Sequence, residues 1–225
     1  MYTSMKPIHF HIVTLFPESI RTYLESSIIG RAQKRKLVNI SFYQMRDFNK
    51  DKHKRVDDRP YAGGPGMVLR AEPVVNAVLH VKKKIARGKS KQKIKIILFS
   101  AAGKQFTNTI ASKIPKQCTD IILVAGRYEG IDARVKKILH AEEISVGPYI
   151  LTGGELPAAL FVDAVTRHIP GVLGKDESVE ERRISSSEVY TRPEVLRYQG
   201  KIFRVPKVLL SGDHKKIEEW KKNKC

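Results

Sequence analysis

Two short runs of almost purely apolar residues constrain the fold of this chain more than any other feature. The sequences IKIILF and DIILVAG cover residues 94–99 and 120–126, and a stretch of helical character separates them. Strands that are buried on both faces, as in a parallel sheet covered by helices, are apolar throughout. The two runs therefore predict an α/β fold, in which a parallel sheet lies between layers of helices.

The remaining predicted elements follow the order that an α/β fold requires. The run at 8–16 is typical of a strand because it alternates, is rich in aromatic and β-branched residues, and ends at Pro17. Further strands are predicted at 38–44 and 142–147. Helices are predicted at about 18–29, at 71–87, and at 155–169, where a proline lies in the first turn.

The composition divides the chain into three parts. Its 225 residues, 41% of them hydrophobic, can bury a substantial core, and residues 1–169 are expected to form one compact unit. Residues 170–190 are charged and small, which is typical of a flexible linker. Residues 191–225 are too few to fold alone and are expected to pack on the first unit or on a second copy, with Asp213 capping a final helix.

The charge balance indicates a polyanionic partner. The chain has 42 Lys and Arg against 23 Asp and Glu, a formal net charge of +19 at pH 7. A surplus this large favours nucleic acid first and an anionic membrane surface second. No apolar run approaches the roughly 20 residues that span a bilayer, and the N-terminal residues lack a signal-peptide pattern, so we expect a cytoplasmic protein with no membrane association.

A basic run at 81–95, VKKKIARGKSKQKIK, joins a predicted helix to the next strand. A lysine-rich connection of this kind is often no more than a solvated loop. In a chain with such a large positive charge it could equally contact RNA phosphates, in a manner that is independent of base sequence and sensitive to salt. The sequence leaves both interpretations open.

Two glycine-rich stretches are candidates for a ligand site. GRYEGID, residues 126–132, directly follows a predicted strand, and open α/β sheets bind ligands at the carboxyl ends of their strands. SVGPYILTGGELP, residues 145–157, also follows a strand, and its glycines would let backbone groups approach a flat ligand edge. Each stretch also has a structural explanation, as a capped turn or as a loop that needs positive φ angles.

Six stretches in sequence order resemble one family of RNA-modifying enzymes. They are DDRPYAGGPGM (57–67), GRYEGID (126–132), SVGPYILTGGELPA (145–158), RHIPGVLG (167–174), YTRPEV (190–195) and VPKVLLSGDH (205–214). Together they are similar to the bacterial tRNA (guanine-37-N1)-methyltransferases, the TrmD type of the SPOUT superfamily. Several motifs in a fixed order are far more specific than any one of them alone.

The resemblance implies a fold, a reaction and a set of partners. It implies a SPOUT-type parallel sheet with a deep C-terminal trefoil knot, plus a small helical C-terminal domain. The family methylates N1 of guanosine 37 in tRNA with S-adenosylmethionine, and it works as a homodimer with the active site at the subunit interface. On this chain the methyltransferase domain would be 1–169, the linker 170–190 and the tRNA-binding domain 191–225.

The resemblance also carries the cofactor site over, residue by residue. It implies that S-adenosylmethionine contacts Gly126, Tyr128, Glu129, Val146, Gly147, Pro148, Tyr149, Ile150, Leu151, Gly153 and Gly154. Pro148 stands where the family commonly has an aspartate. Because backbone groups are expected to hold the adenine, we expect this difference to tune binding and not to abolish it.

The candidate catalytic residues are Glu181 and Arg167. N1 of guanine must lose its proton as it attacks the methyl group, and a carboxylate in the linker would accept that proton. Arg182 stands at the expected acidic position, so Glu181 is the candidate base and Glu180 the alternative. Arg167 would stabilise the charge that develops on O6. Its spacing from Asp163 is equally typical of a surface ion pair.

The resemblance further implies dependence on Mg²⁺. The sequence shows no carboxylate cluster that would locate such an ion. Cys118 and Cys225 lack metal-ligand spacing to any histidine. No metal-binding residue is therefore predicted.

Two other functions remain open at this stage. The chain could methylate a different RNA, such as a ribose 2′-oxygen in rRNA, although YTRPEV and VLLSGDH argue against that. It could also be a basic RNA-binding module that has lost catalysis, given Arg182 and the short C-terminal tail. Cofactor binding without methyl transfer would identify such a module.

Overall fold

A parallel sheet forms the centre of the fold, as the apolar runs predict. The structure is a computed structural model, and it describes residues 6–61, 63–88, 92–173 and 188–223. The strands are β1 (Ile8–Thr14), β2 (Val38–Gln44), β3 (Asp57–Asp58), β4 (Val68–Leu69), β5 (Ile94–Gln105), β6 (Asp120–Val124), β7 (Glu142–Ser145), β8 (Val195–Tyr198) and β9 (Lys201–Arg204). Five of them form one sheet in the order β2-β1-β6-β5-β7, and each neighbouring pair is parallel.

Helices cover this sheet on both faces. They are α1 (Glu18–Leu24), α2 (Ser27–Lys34), α3 (Ala71–Ala86), α4 (Asn108–Gln117), α5 (Arg134–Leu139), α6 (Glu155–Thr166), α7 (Lys207–Leu210) and α8 (His214–Lys222), with a 3-10 turn at Met45–Phe48. Buried side chains of α1, α2, α4 and α6 share one core cluster, and those of α3 and α5 share the other. Within the described ranges, no helix has the length and the apolar content to cross a bilayer.

The residues of β1 show how the sequence divides between the two faces. Ile8, Phe10 and Ile12 are buried in the first core cluster, whereas Val13 lies in the second. Successive side chains of a strand point to opposite faces, so a strand between two helical layers needs apolar residues at both sets of positions. On the second face of the same strand, His11 is buried within hydrogen-bond distance of Tyr43 and Asp120.

The predicted helix at 18–29 is wrong in one respect, because the structure has two helices there. The first ends at Leu24, and Ser26 adopts an extended conformation with φ −103° and ψ 170°. The Ser26 hydroxyl donates a hydrogen bond of 2.8 Å to the carbonyl of Tyr23, which satisfies a helix-end acceptor. Gly30 lets α2 pack at this turn, since a Cβ there would lie 2.2 Å from the carbonyl oxygen of Glu25.

Strand β5 is twice as long as predicted, because the chain stays extended beyond Phe99. Its register with β7 shifts between Phe99 and Lys104, and both of these residues are Cα partners of Ile144. The displaced residues bulge away from the sheet next to β7. Gly103 closes the bulge, and a Cβ there would lie 2.6 Å from the backbone nitrogen of Ile144.

The chain separates into two compact units, with the division between Val172 and Leu173. The second unit has an antiparallel hairpin, β8–β9, that the sequence analysis did not predict. Gln199 and Gly200, at the turn, have φ angles of 49° and 75°, as a two-residue type I′ turn requires. The predicted cap of the final helix is confirmed, since Asp213 accepts a hydrogen bond of 3.2 Å from the backbone N–H of Lys216.

Candidate active site

A cavity of about 510 Å³ lies at the carboxyl ends of β6 and β7, beside the bulged part of β5. Its walls come from residues 98–102, 126–133, 136, 143–147, 149–151, 153, 154 and 157. Both glycine-rich stretches that the sequence analysis selected therefore contribute to one cavity. Its volume lies within the range of small-molecule sites, roughly 300–1,000 Å³, and its place at the strand ends is where open α/β sheets bind ligands.

Most of the predicted cofactor residues line this cavity together. They are Gly126, Tyr128, Glu129, Val146, Gly147, Tyr149, Ile150, Leu151, Gly153 and Gly154. Pro148 is exposed and is not among the lining residues. Arg167 does not line the cavity either, and Glu181 lies outside the described residues, so the structure does not bring the two candidate catalytic residues to the cavity.

Backbone hydrogen bonds join the GRYEGID stretch to the GGPGM loop. The N–H of Glu129 donates to the carbonyl of Met67 at 3.0 Å, and the N–H of Leu69 donates to Gly130 at 2.9 Å. The side chain of Glu129 lies against Gly66, where an added Cβ would be 2.5 Å from the carboxylate oxygen Oε1. The GGPGM loop thus packs against the GRYEGID stretch, which lines the cavity, although the loop itself is not among the lining residues.

The β7–α6 loop is joined to the same stretch from the other side. The N–H of Gly154 donates to the carbonyl of Gly126 at 2.7 Å, and Arg127 forms an isolated antiparallel bridge with Gly153. A Cβ on Gly154 would lie 2.7 Å from both the Cα of Ala125 and the N of Gly126. These are backbone atoms that cannot rotate away, so glycine is needed here for the close approach of two chain segments.

A buried polar network lies beneath this junction, and the sequence analysis did not find it. The Thr14 hydroxyl donates to Oε1 of Glu155 at 2.8 Å, and Nε of Arg127 lies 2.8 Å from Oε2 of Glu155. The second contact is an ion pair by distance, although its groups are not aligned as a hydrogen bond. Glu155 is 3% exposed, so its charge depends on these partners. The network ties the ends of β1 and β6 to the start of α6.

The Arg127 side chain makes two further contacts that fix its direction. Its guanidinium lies 4.7 Å from the ring centroid of Phe16, and Nη1 is 3.4 Å from the carbonyl oxygen of Thr152. The sequence signal for the buried network is Glu155 itself, an acidic residue at the start of an apolar helix, in GGELP. Acidic residues are common at helix N-termini, so the signal does not by itself indicate a buried ion pair.

The turn at Gly147 is held by its own side chains and backbone. The Ser145 hydroxyl donates to the carbonyl of Gly147 at 3.0 Å, and the Tyr149 hydroxyl donates to the carbonyl of Val146 at 3.1 Å. The Tyr149 ring lies directly over Gly147. Ile150, which also lines the cavity, is 89% exposed and presents an apolar side chain to solvent.

The carboxylates along the cavity wall are largely paired with cations. Arg134 donates to both oxygens of Asp132, and these hydrogen bonds hold the pKa of Asp132 below its usual value. Lys136 forms an ion pair of 2.6 Å with Glu143. These two carboxylates do not offer the open oxygen ligands that Mg²⁺ takes. Glu129 is the third carboxylate of the wall, and its side chain lies against Gly66. A single further carboxylate does not provide the several oxygen ligands that Mg²⁺ takes, so the wall does not fit this ion.

The end of α6 places Arg167 beside Asp163 through the backbone. The N–H of Arg167 donates to the carbonyl of Asp163 at 3.2 Å, while the Asp163 carboxylate accepts a hydrogen bond from the Tyr23 hydroxyl. The catalytic role of Arg167 stays a prediction.

Comparison with known proteins identifies the class of this chain. Residues 8–225 match the family model described as tRNA (Guanine-1)-methyltransferase TrmD. The chain is 45% identical over 216 residues to the tRNA (guanine-N(1)-)-methyltransferase of Pseudoalteromonas atlantica, which covers 94% of this chain and 78% of that protein. It is 46% identical over 216 residues to the protein of the same name from Ruminiclostridium cellulolyticum, with 94% and 88% covered.

A third relative has a similar length. The tRNA (guanine-N(1)-)-methyltransferase of Clostridioides difficile is 41% identical over 219 residues, which cover 96% of this chain and 91% of that protein. The structure is an α/β fold with a ligand-sized cavity at the strand ends of its parallel sheet. With the match along nearly its whole length, the chain belongs to the TrmD family of tRNA (guanine-1)-methyltransferases.

Proposed function

We propose that this protein transfers a methyl group from S-adenosylmethionine to N1 of guanosine at position 37 of tRNA, next to the anticodon, in the cytoplasm. The observation that carries the proposal is the cavity, where the glycine-rich motifs of the family meet at the carboxyl edge of the sheet. The family match and the names of the relatives support the reaction class.

The cavity fits the cofactor in size and in chemistry. S-adenosylmethionine has an adenine that backbone N–H and C=O groups can recognise, and the walls at 145–154 are rich in glycine, where the backbone is accessible. When bound, it supplies an electrophilic methyl group on a sulfonium. The lining residues would hold the adenine, and Tyr149 and Ile150 would border the opening.

The chain would then contribute a base and a cation. Glu181 would accept the N1 proton of guanine as the new bond forms, because the N1 lone pair is otherwise delocalised in the ring amide. Arg167 would stabilise the negative charge that moves onto O6. The remaining barrier is lowered by alignment of N1 with the methyl group, which a preformed cavity provides.

Close approaches between chain segments support a deep trefoil knot at residues 98–157. Gly154 packs on the backbone of Ala125 and Gly126, and Gly103 packs on the backbone of Ile144. Segments that cross at backbone contact need residues without side chains at the crossing points. The cofactor cavity would then be formed by the loops of the knot.

Exposed apolar side chains support a homodimer. Leu156 and Leu160 lie one turn apart on α6. Tyr23 lies on α1 and Phe16 just before it, and α1 packs against α6. Apolar side chains that lie together on packed helices are typical of a surface that a second copy covers. Leu160→Glu should yield a monomer by light scattering, whereas Leu79→Glu, which changes an exposed leucine on α3, should remain a dimer.

The charge distribution supports tRNA as the substrate. Lys82, Lys83 and Lys84 are exposed at the end of α3, within the basic run that the sequence analysis selected. We assign residues 191–225 to anticodon-side contacts and 170–190 to the linker that covers the target base. Binding of tRNA should weaken steeply as salt rises, because phosphate contacts release counterions.

One assay tests the reaction and its base. Purified protein with labelled S-adenosylmethionine should methylate a tRNA that carries guanosine 37 and leave the adenosine 37 variant unmodified, with the product identified as 1-methylguanosine by mass spectrometry. Glu181→Gln should lower the single-turnover rate by about two orders of magnitude or more, and Glu180→Gln is the matched control. Undiminished turnover of Glu181→Gln would move the base elsewhere, and cofactor binding without any transfer would indicate a non-catalytic RNA-binding module.

A further inference from the structure

A second polar site lies at the opposite end of the sheet from the cavity. His9 is the second residue of β1, and its Cα partner across the sheet is Asp120, the first residue of β6. His11 lies two residues further along β1 on the same face. The possible ligand atoms of these three residues all lie within 4.8 Å of one another.

The separations suit a single metal ion. Nε2 of His11 lies 3.1 Å from Oδ1 of Asp120. Two ligands of a tetrahedral Zn²⁺ ion, each about 2.0–2.1 Å from the metal, lie about 3.3 Å apart. The distance between Nε2 of His11 and Oδ1 of Asp120 is therefore close to the ligand-to-ligand distance of such a site. Only the His9 ring has to move closer to the other two ligands.

The other polar atoms of these side chains are held in place. Nδ1 of His11 is 3.1 Å from the Tyr43 hydroxyl, and Oδ2 of Asp120 accepts a hydrogen bond of 2.8 Å from the Thr119 hydroxyl. Outer contacts of this kind orient metal ligands in proteins. Because a tyrosine hydroxyl can accept as well as donate, His11 can carry its proton on Nδ1 and leave Nε2 free for an ion.

Burial and charge also fit neutral imidazole ligands. His11 is 2% exposed and Asp120 is 7% exposed, while His9 is partly exposed and gives access from solvent. Burial lowers the pKa of His9 to about 4 and also lowers that of His11. Lys84, whose Nζ lies 5.4 Å from the ring centroid of Tyr43, is the nearby cation that opposes binding.

His9 is the proposed ligand whose ring must rotate when an ion binds. Its ring stacks on that of His11 with centroids 3.9 Å apart, and its Nε2 is 2.8 Å from the Ser41 hydroxyl. Within the described ranges, Nδ1 of His9 has no hydrogen-bond partner. A partly exposed ring can rotate without disturbing the core, and a solvent-facing ring leaves room for a water ligand.

We propose that His9, His11 and Asp120 bind one divalent transition-metal ion, of the Zn²⁺ or Co²⁺ class, separately from the methyl-transfer cavity. Two imidazoles and one carboxylate suit this class, whereas Mg²⁺ and Ca²⁺ prefer oxygen ligands throughout. The ion would link the amino ends of β1 and β6, two neighbouring inner strands of the sheet. It would act on stability, because a ligand that binds only the folded state stabilises that state.

The test uses the full chain without a polyhistidine tag, after treatment with a chelator. Titration with Co²⁺ should give visible d–d absorption bands that saturate at one equivalent, and Zn²⁺ should displace the Co²⁺ and raise the melting temperature. His9→Gln should weaken Co²⁺ binding at least tenfold. His80→Gln is the matched control, since His80 is exposed and lies near Tyr43 but outside the cluster.

The outcomes separate cleanly. Saturable binding at one equivalent that His9→Gln weakens and His80→Gln preserves supports the site. No saturable binding, or equal binding by His9→Gln and the unchanged protein, overturns it. Circular dichroism in chelator checks that His9→Gln folds, and Asp120→Asn takes its place in the same titration if it does not. Methyl transfer is not a readout, so the result is independent of the proposed reaction.

Discussion

The two ends of the central sheet are built in different ways. At the carboxyl end, segments at 126–132 and 145–157 meet through glycines and backbone hydrogen bonds, and the space between them is a cavity. At the amino end, His9, His11 and Asp120 meet through their side chains. One end is therefore sensitive to any added side-chain atom, whereas the other is sensitive to the loss of a polar atom.

The largest effect is expected from a side chain at the closest backbone contact. Gly154→Val should abolish S-adenosylmethionine binding in calorimetry and lower the melting temperature, because its Cβ would lie 2.7 Å from the backbone of Ala125 and Gly126. Gly212→Val is the control: Gly154 has an ordinary φ of −85°, whereas the φ of 72° at Gly212 strains any side chain, but nothing lies within 4 Å of the added Cβ there, so cofactor binding should be kept. Normal binding by Gly154→Val would show that the two segments can separate without harm.

A somewhat smaller effect is expected from the buried network under the cavity. Glu155→Ala leaves Arg127 without its ion-pair partner and should lower the free energy of unfolding by about 3–5 kcal/mol. Glu25→Ala removes an exposed pair with Arg21 and should cost about 0–1 kcal/mol. Urea unfolding of both variants measures the difference. Equal losses would mean that the buried pair contributes no more than a surface one.

The amino end should respond more mildly to the loss of one hydroxyl. Tyr43→Phe keeps the ring in the core but removes the hydrogen bond to His11, at a cost of about 1 kcal/mol. Tyr61→Phe, at a fully exposed tyrosine, should leave the unfolding midpoint unchanged. A loss of several kcal/mol for Tyr43→Phe would show that the polar cluster is coupled more tightly than its separate hydrogen bonds indicate.

The smallest effect is expected outside both ends of the sheet, at the cap of α8. The pKa of Asp213 lies below its usual 3.8, chiefly because the backbone N–H of Lys216 bonds to the ionised carboxylate. A lowered carboxyl pKa gives stability that is full above pH 3.8 and is lost as pH falls through the folded-state value. In NMR, the amide shift of Lys216 should change as acid protonates Asp213, because the hydrogen bond between them weakens. Asp213→Asn should remove this change, while Asp47→Asn should leave it intact.

Sequence alone predicted the parts of the fold that follow from periodicity. The apolar runs at 94–99 and 120–126 gave parallel strands, because burial on both faces leaves a continuous apolar pattern. The break between α1 and α2 was missed, since it depends on a serine hydroxyl and a close approach at Gly30. The β8–β9 hairpin was missed because its strands are short and exposed.

The segments that line the cavity could be predicted from the sequence, but the buried polar network beneath it could not. Glycine-rich stretches after strands are a local signal, and they line the cavity as their positions indicated. Thr14 and Glu155 are 141 residues apart, and no local pattern links two polar residues at that distance. Pro148 was carried over with its neighbours, and in the structure it is exposed and is not among the lining residues. Side-chain direction in an irregular loop does not follow from spacing.

The order in which the cavity walls occur along the chain has a consequence for synthesis. Ribosomes release the chain from its N-terminus. A nascent chain that has emerged through β6 therefore already has four of the five strands of the central sheet, β1, β2, β5 and β6. The cavity still lacks the wall at 143–157, and Glu155 has not yet reached Arg127. A truncated product that ends before α6 would therefore keep the strands of its central sheet without a closed cavity.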